Sequence, residues 1–238
     1  MAPSATTARR RASRGRRAQG KGQRAEGMER AAISGAAGGA AGASRSAPTD
    51  PSPIALRPAP STLPSYLRSG LDLVLCGCNP GLFSAAVGHY FARPGNAFWP
   101  LLAEAGITPR LFRPEEDGTL LDLGVGLTDV VARPSLGTGE IGAAEWRAGG
   151  AALAERLRCF RPAAVCFVGD TAFRAFAGRP RERWGRQGND WQGIVIFVAP
   201  STSGRVARLA AERRAAFVEV GAWLRTRRRQ APPNGKTR

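Results

Sequence analysis

The sequence has no apolar segment long enough for a signal-peptide core or a membrane span. It has a single histidine, four cysteines with no CxxC pair, and 18 acidic residues against 35 basic ones. Without an apolar span, the expected class is a soluble intracellular protein, cytoplasmic and at the nucleoid in a bacterium or nuclear in a eukaryote. The Arg- and Ser-rich, acid-poor N-terminus also resembles a transit peptide. Cys76 and Cys78 stand two apart on an expected strand, so they point to one face without disulfide geometry. Together with Cys159 and Cys166 they leave an iron–sulfur or zinc site open, but the spacing fits small buried core residues better.

The shortage of acid is uneven along the chain. Residues 1–50 carry ten Lys/Arg against three Asp/Glu, and residues 223–238 carry six basic residues and no acid. The stretch between them, 51–222, has nineteen basic and fifteen acidic residues, so the polyanion-binding charge sits at the two ends. Residues 1–60 are rich in Ala, Gly, Ser, Pro and Arg and hold few large apolar residues, a composition that cannot offset its ordering entropy. The expected organisation is a disordered basic segment over 1–60, one folded domain over 61–224 and a basic disordered tail over 225–238.

Four short, nearly continuous apolar runs lie in the expected domain: Leu71–Gly77, Gly124–Val131, Ala163–Gly169 and Gly193–Ala199. Each has the length and character of a strand buried on both faces. Helical patterns alternate with them over Ala97–Ala105, Glu145–Phe160, Thr171–Ala177 and Val206–Arg229, and there are no internal repeats. The alternation predicts an α/β fold, a three-layer α/β/α sandwich on a mainly parallel four-stranded sheet. Ligands of such sheets bind beyond the carboxyl ends of the strands. That places the loops GCNPG (Gly77–Gly81), Ala132–Thr138, GDTAF (Gly169–Phe173) and Ala199–Arg205 around one cleft.

The loop after the first run is dense in special residues and nearly empty of strong acids, bases and nucleophiles. Gly77–Gly81 alone reads as a tight turn that exposes backbone amides and one carboxamide, Asn79. The continuation through Ser84, Gly88–Phe91 and Pro94–Trp99 (PGNAFW) closely resembles the mismatch-specific uracil and thymine DNA glycosylases, from about Leu71 to Leu224. The later loop PSTSGR (Pro200–Arg205) falls in the order that family requires.

The resemblance implies an enzyme that flips uracil, or thymine mispaired with guanine, out of duplex DNA and hydrolyses the base–sugar bond. Asn79 matches the residue that positions the attacking water. Having no basic site at neutral pH, it would work by alignment, with backbone amides stabilising the departing base anion. Gly77, Cys78, Gly81, Ser84, Phe91 and Asn96 form the implied base pocket. In that pocket Gly77 and Gly81 let the backbone approach the base, Phe91 stacks on it and Asn96 braces the loop. Ser84 either contacts the base or is simply small. His89 has a counterpart in the thymine-directed branch, as an assisting group.

Ser201, Thr202, Ser203, Gly204 and Arg205 form the implied DNA-binding loop, although Ser and Thr there also suit a helix N-cap. The bacterial loop has a wedge leucine where this chain has Ser203, which leaves Arg205 as the side chain long enough to plug the vacated stack. The implied partner is double-stranded DNA with G·U or G·T mismatches, met by a monomer without metal or cofactor. A non-catalytic DNA-binding module, or a preference for hypoxanthine, xanthine or ethenocytosine, remains open.

Overall fold

A computed structural model describes residues 62–230. The expectations for 1–60 and for the last eight residues of the C-terminal tail lie outside the described residues.

Three of the apolar runs form buried five-residue strands: β1 (Leu73–Gly77), β2 (Val125–Asp129) and β3 (Ala164–Val168). A two-residue β4 (Gly185–Arg186) precedes the fourth long strand, β5 (Val195–Ala199). The sheet order is β2-β1-β3-β5-β4, parallel throughout except at the β4 edge. The expected four parallel strands are thus joined by a fifth, antiparallel one. Gly185–Arg186 carries no strand pattern in sequence. Its place at the edge is held by the Arg186 amide donating to Glu219 and the Gln187 amide donating to the Ile196 carbonyl.

Side chains alternate across the sheet with the two-residue period of a pleated strand. Leu73, Leu75, Leu127, Cys166 and Phe197 face one core, closed by Phe98 and Leu102 of α2 (Phe98–Glu104) and by Phe217, Val220 and Leu224 of α5 (Ala210–Gln230). Val74, Cys76, Val165, Phe167 and Val198 face the other core, closed by Leu153 and Leu157 of α3 (Ala143–Phe160) and Phe173 of α4 (Asp170–Ala177). This is the three-layer α/β/α arrangement. It also separates the cysteines: Cys76 and Cys78 pack on the α3/α4 side, Cys166 on the opposite side, and Cys159 is exposed.

The layers meet closely where side chains are missing. A Cβ on Gly221 of α5 would overlap the carbonyl oxygen of Ala105 at the end of α2. The last helix also differs from its expected span. Val206 has non-helical angles (φ −115°, ψ 46°) within a 3-10 segment, Gly204–Leu209, so the α-helix starts only at Ala210. At its other end it runs to Gln230, one residue beyond the expected Arg229. Arg225 donates to the Ala105 carbonyl at 2.7 Å, and Arg227 and Arg228 pair with Asp72 at 3.1 and 3.4 Å. Those contacts tie residues that read as tail to the domain.

Candidate active site

The four loops at the carboxyl ends of the long strands enclose a cleft of about 410 Å³. Cys78–Gly81 contribute from the β1 exit, Ser135–Thr138 from the β2 exit, Val168–Thr171 from the β3 exit and Ser201–Arg205, without Gly204, from the β5 exit. The β1 and β2 exits remain bonded to each other beyond the sheet, with Val131 N donating to Cys78 O at 2.9 Å and Ser135 N to Pro80 O at 3.0 Å.

That second bond belongs to the clamp on Asn79. Its Nδ2 donates to Ser135 Oγ (2.8 Å), Arg133 O (3.1 Å) and Pro80 O (3.2 Å). Ser135 Oγ gives its own proton to Gly137 O at 2.8 Å, so toward Asn79 it can only accept. The orientation of the carboxamide is therefore fixed by chemistry. Nδ2 faces three acceptors, and among the described residues Oδ1 is left without a partner. Ser135, 3% exposed, was not singled out from sequence. The signal for it was its place in the β2 exit loop, one of the four expected to share the cleft.

Phe91 lines the cleft with its ring stacked on Phe98, centroids 3.8 Å apart and planes within 17°. Its backbone is left-handed (φ 53°), an unfavourable conformation for a bulky residue that concentrates at functional sites. Ser84 sustains the turn, since its Oγ accepts the Ala92 N–H at 3.1 Å. Ser84 also lines the cleft, so it braces Phe91 and borders the pocket at once. Asn96 uses Oδ1 to accept the Phe98 N–H at 3.0 Å at the start of α2. Asn96 lines the cleft, and its Nδ2 has no partner among the described residues.

In the β5 exit loop, Ser201 Oγ accepts the Ser203 N–H (3.3 Å) and Ser203 Oγ accepts the Arg205 N–H (3.4 Å). Both hydroxyls spend acceptor capacity on the loop and keep a proton to donate. Thr202 is 1% exposed, and its carbonyl receives the Ala97 N–H at 3.0 Å, stitching this loop to the PGNAFW segment. Gly204 and Arg205 are exposed. The Arg205 guanidinium crosses the cleft mouth to donate to Leu136 O at 3.2 Å.

The profile of the Uracil DNA glycosylase superfamily matches residues 64–225, most of the chain and nearly all of its described part. The chain belongs to the uracil DNA glycosylase superfamily. In fold it is similar to a candidate uracil DNA glycosylase from Methanosarcina acetivorans solved by NMR. That match has a TM-score of 0.50 at 22% identity, over 70% of this chain and 98% of the other.

This uracil DNA glycosylase superfamily member carries one cleft group that the sequence reading passed over. Asp129 ends β2, is buried and lines the cleft, and its Oδ2 has no hydrogen-bond partner among the described residues. Burial pushes its carboxyl up from 3.8 to about 7, against the opposing pull of Arg156. Arg156 bonds to the Asp129 carbonyl (2.9 Å) and to the Thr128 hydroxyl, leaving the carboxylate itself unbridged. The available signal was a lone acid closing an apolar strand.

The same residue changes the role of Gly77. The expected backbone approach to a base is not where this glycine acts. It does not line the cleft, and a Cβ there would overlap Asp129 Oδ1 and stand 3.4 Å from the Phe91 ring. Its missing side chain makes room for the carboxylate. Gly81 does line the cleft, with open space around its Cα. Cys78 lines it as a neutral thiol, pushed up to about 12 by burial, so it is no nucleophile at neutral pH. His89 is not brought to the cleft. Its Nδ1 sits 3.4 Å from buried Asp117 without a hydrogen bond to it, while Asp117 accepts from Tyr66 OH and Tyr90 N at 3.0 Å each.

Proposed function

We propose that the chain is a monofunctional DNA glycosylase that hydrolyses the N-glycosidic bond of uracil, and of thymine, opposite guanine in duplex DNA. The observation that carries this reading is the locked carboxamide of Asn79, whose one unspent atom is an acceptor beside an aromatic platform. An acceptor aligns a water by accepting a hydrogen bond from it, which is the role available to a group that cannot be a base. The water oxygen bonds to C1′, the C1′–N1 bond breaks, and its electron pair leaves with the base. Asp129, unbridged and half-ionised near neutrality, takes the proton that the attacking water releases. The amides of the Cys78–Gly81 turn face the departing anion. Phe91, backed by Phe98, receives the flipped base on its ring, and the spare Nδ2 of Asn96 borders the base edge. Ser201 and Ser203, rather than buried Thr202, hold the flanking phosphates, with Arg205 beside them at the DNA-facing lip.

Duplexes carrying U, T, hypoxanthine, xanthine or ethenocytosine opposite G, incubated without added metal and then cleaved by alkali, test the reading. Excision from G·U that leaves an uncut abasic strand is expected. Borohydride trapping should capture no covalent adduct, because among the described residues no lysine lines the cleft to form a Schiff base. Failure to release any of the five bases would overturn the enzyme assignment.

A further inference from the structure

Six large apolar side chains stand out as exposed among the described residues: Leu82, Phe83, Val87, Leu111, Leu136 and Val218. Leu136 is the most exposed of them at 64%, and it alone of the six lines the cleft. It follows Ser135, so it stands one residue from the hydroxyl that locks Asn79.

Its backbone is held from both sides. The Leu136 N–H donates to Glu140 Oε2 at 3.0 Å, and its carbonyl accepts from Arg205 Nη1 at 3.2 Å. Glu140 is anchored in turn, its own carbonyl accepting from Arg133 Nη2 at 3.0 Å. A free apolar side chain on a slack loop would fold back onto the surface. Here the loop is hydrogen-bonded at the tip, and the isobutyl group stays in water at the mouth of the site. Such an arrangement suits a partner whose apolar interior opens only when the complex forms, and a base stack that has lost one member is such a partner.

We propose that Leu136 is the wedge that enters the base stack when the target nucleotide leaves it, and that Arg205 acts as its brace. The proposal rests on the glycosylase reading for the identity of the partner, duplex DNA. It moves the plug from the β5 exit loop to the β2 exit loop, across the cleft from Ser203. Arg205 keeps the β2 exit loop in register and turns its remaining N–H groups toward the DNA.

The test compares single-turnover excision of uracil from a G·U duplex and from a single strand, where no stack has to be held open. Leu136→Ala and the near-isosteric polar Leu136→Asn should each lower the duplex-to-single-strand rate ratio at least tenfold. Leu136→Met should keep it within about threefold of the unaltered protein. Arg205→Ala should lower the ratio too, and combining it with Leu136→Ala should add little. A ratio unchanged in Leu136→Ala overturns the proposal.

The second measurement needs no catalysis: fluorescence of 2-aminopurine placed beside an abasic site opposite G, at saturating protein. The unaltered chain should change it markedly and Leu136→Ala should not. If the unaltered protein excises nothing from either substrate, the glycosylase reading fails and this fluorescence alone decides the wedge. Equal signals from the two proteins would then overturn it.

Discussion

Replacing Asn79 by alanine removes a cleft group whose orientation is dictated by three separate acceptors. Single-turnover excision should fall on the order of 10²-fold or more, while abasic-site DNA is still bound. Ser135→Ala should cost less, about tenfold, because two backbone carbonyls still hold the amide, and Ser135→Thr should restore most of the rate. The companion measurement is the affinity for abasic duplex, which neither Ser135 variant should change by more than about twofold.

Asp129 produces two opposite pH effects. Between the ordinary 3.8 and the folded value of about 7, the folded chain keeps a proton that the unfolded chain has released, so stability falls as pH rises through that window. Excision should rise across the upper part of it, as the carboxylate forms. Asp129→Asn should therefore flatten Tm between pH 5 and 8, raise it at pH 8, and remove the ionisation near 7 from the rate profile. Asn79 and Phe91 were legible in sequence because a dense motif surrounds them. Asp129 and Ser135 were not, because one resembles a strand residue, the other a turn residue, and only the pairing of β1 with β2 sets them opposite Gly77 and Gly81, the two ends of the turn that carries Asn79.

Among the elements, the packing of α2 against α5 is the most sharply testable. Gly221→Val would drive a side chain into the Ala105 carbonyl, and overpacking of this kind costs about 1–3 kcal/mol. For a domain of this size that corresponds to a fall in Tm of about 3–10 °C by calorimetry. The variant's excision per folded molecule should remain, since α5 contributes no residue to the cleft. The four long strands were readable because their runs are nearly continuously apolar, as strands covered on both faces require. β4 was not, because two residues carry no periodicity. Nor was α1 (Leu82–Val87), whose six residues lie inside a motif that reads as a loop. The helical pattern was legible through Arg229, but the anchoring of its arginines was not: they look like tail charge until Asp72 and two backbone carbonyls turn out to be their partners.

For the whole molecule, the uneven charge makes a prediction about DNA binding testable apart from catalysis. The segment 1–60 carries much of the excess positive charge. Removing it should weaken non-specific DNA binding and flatten its salt dependence, by about 0.9 in the log–log slope for each phosphate that is no longer neutralised. The rate at saturating enzyme should stay within about twofold, read by single-turnover assays at several salt concentrations.

The stacked pair of Phe91 and Phe98 has a consequence at this scale as well. A flat hydrocarbon surface accepts any base of suitable size, because every base has a π-face. The platform therefore cannot choose among pyrimidines. If Phe91 receives a flipped base as proposed, choice would depend on how often each pair in the helix opens by itself, and the protein would sample the weakness of a base pair more than the identity of a base. Its error rate on sound DNA should follow the local melting of the sequence, highest in A·T-rich tracts that breathe.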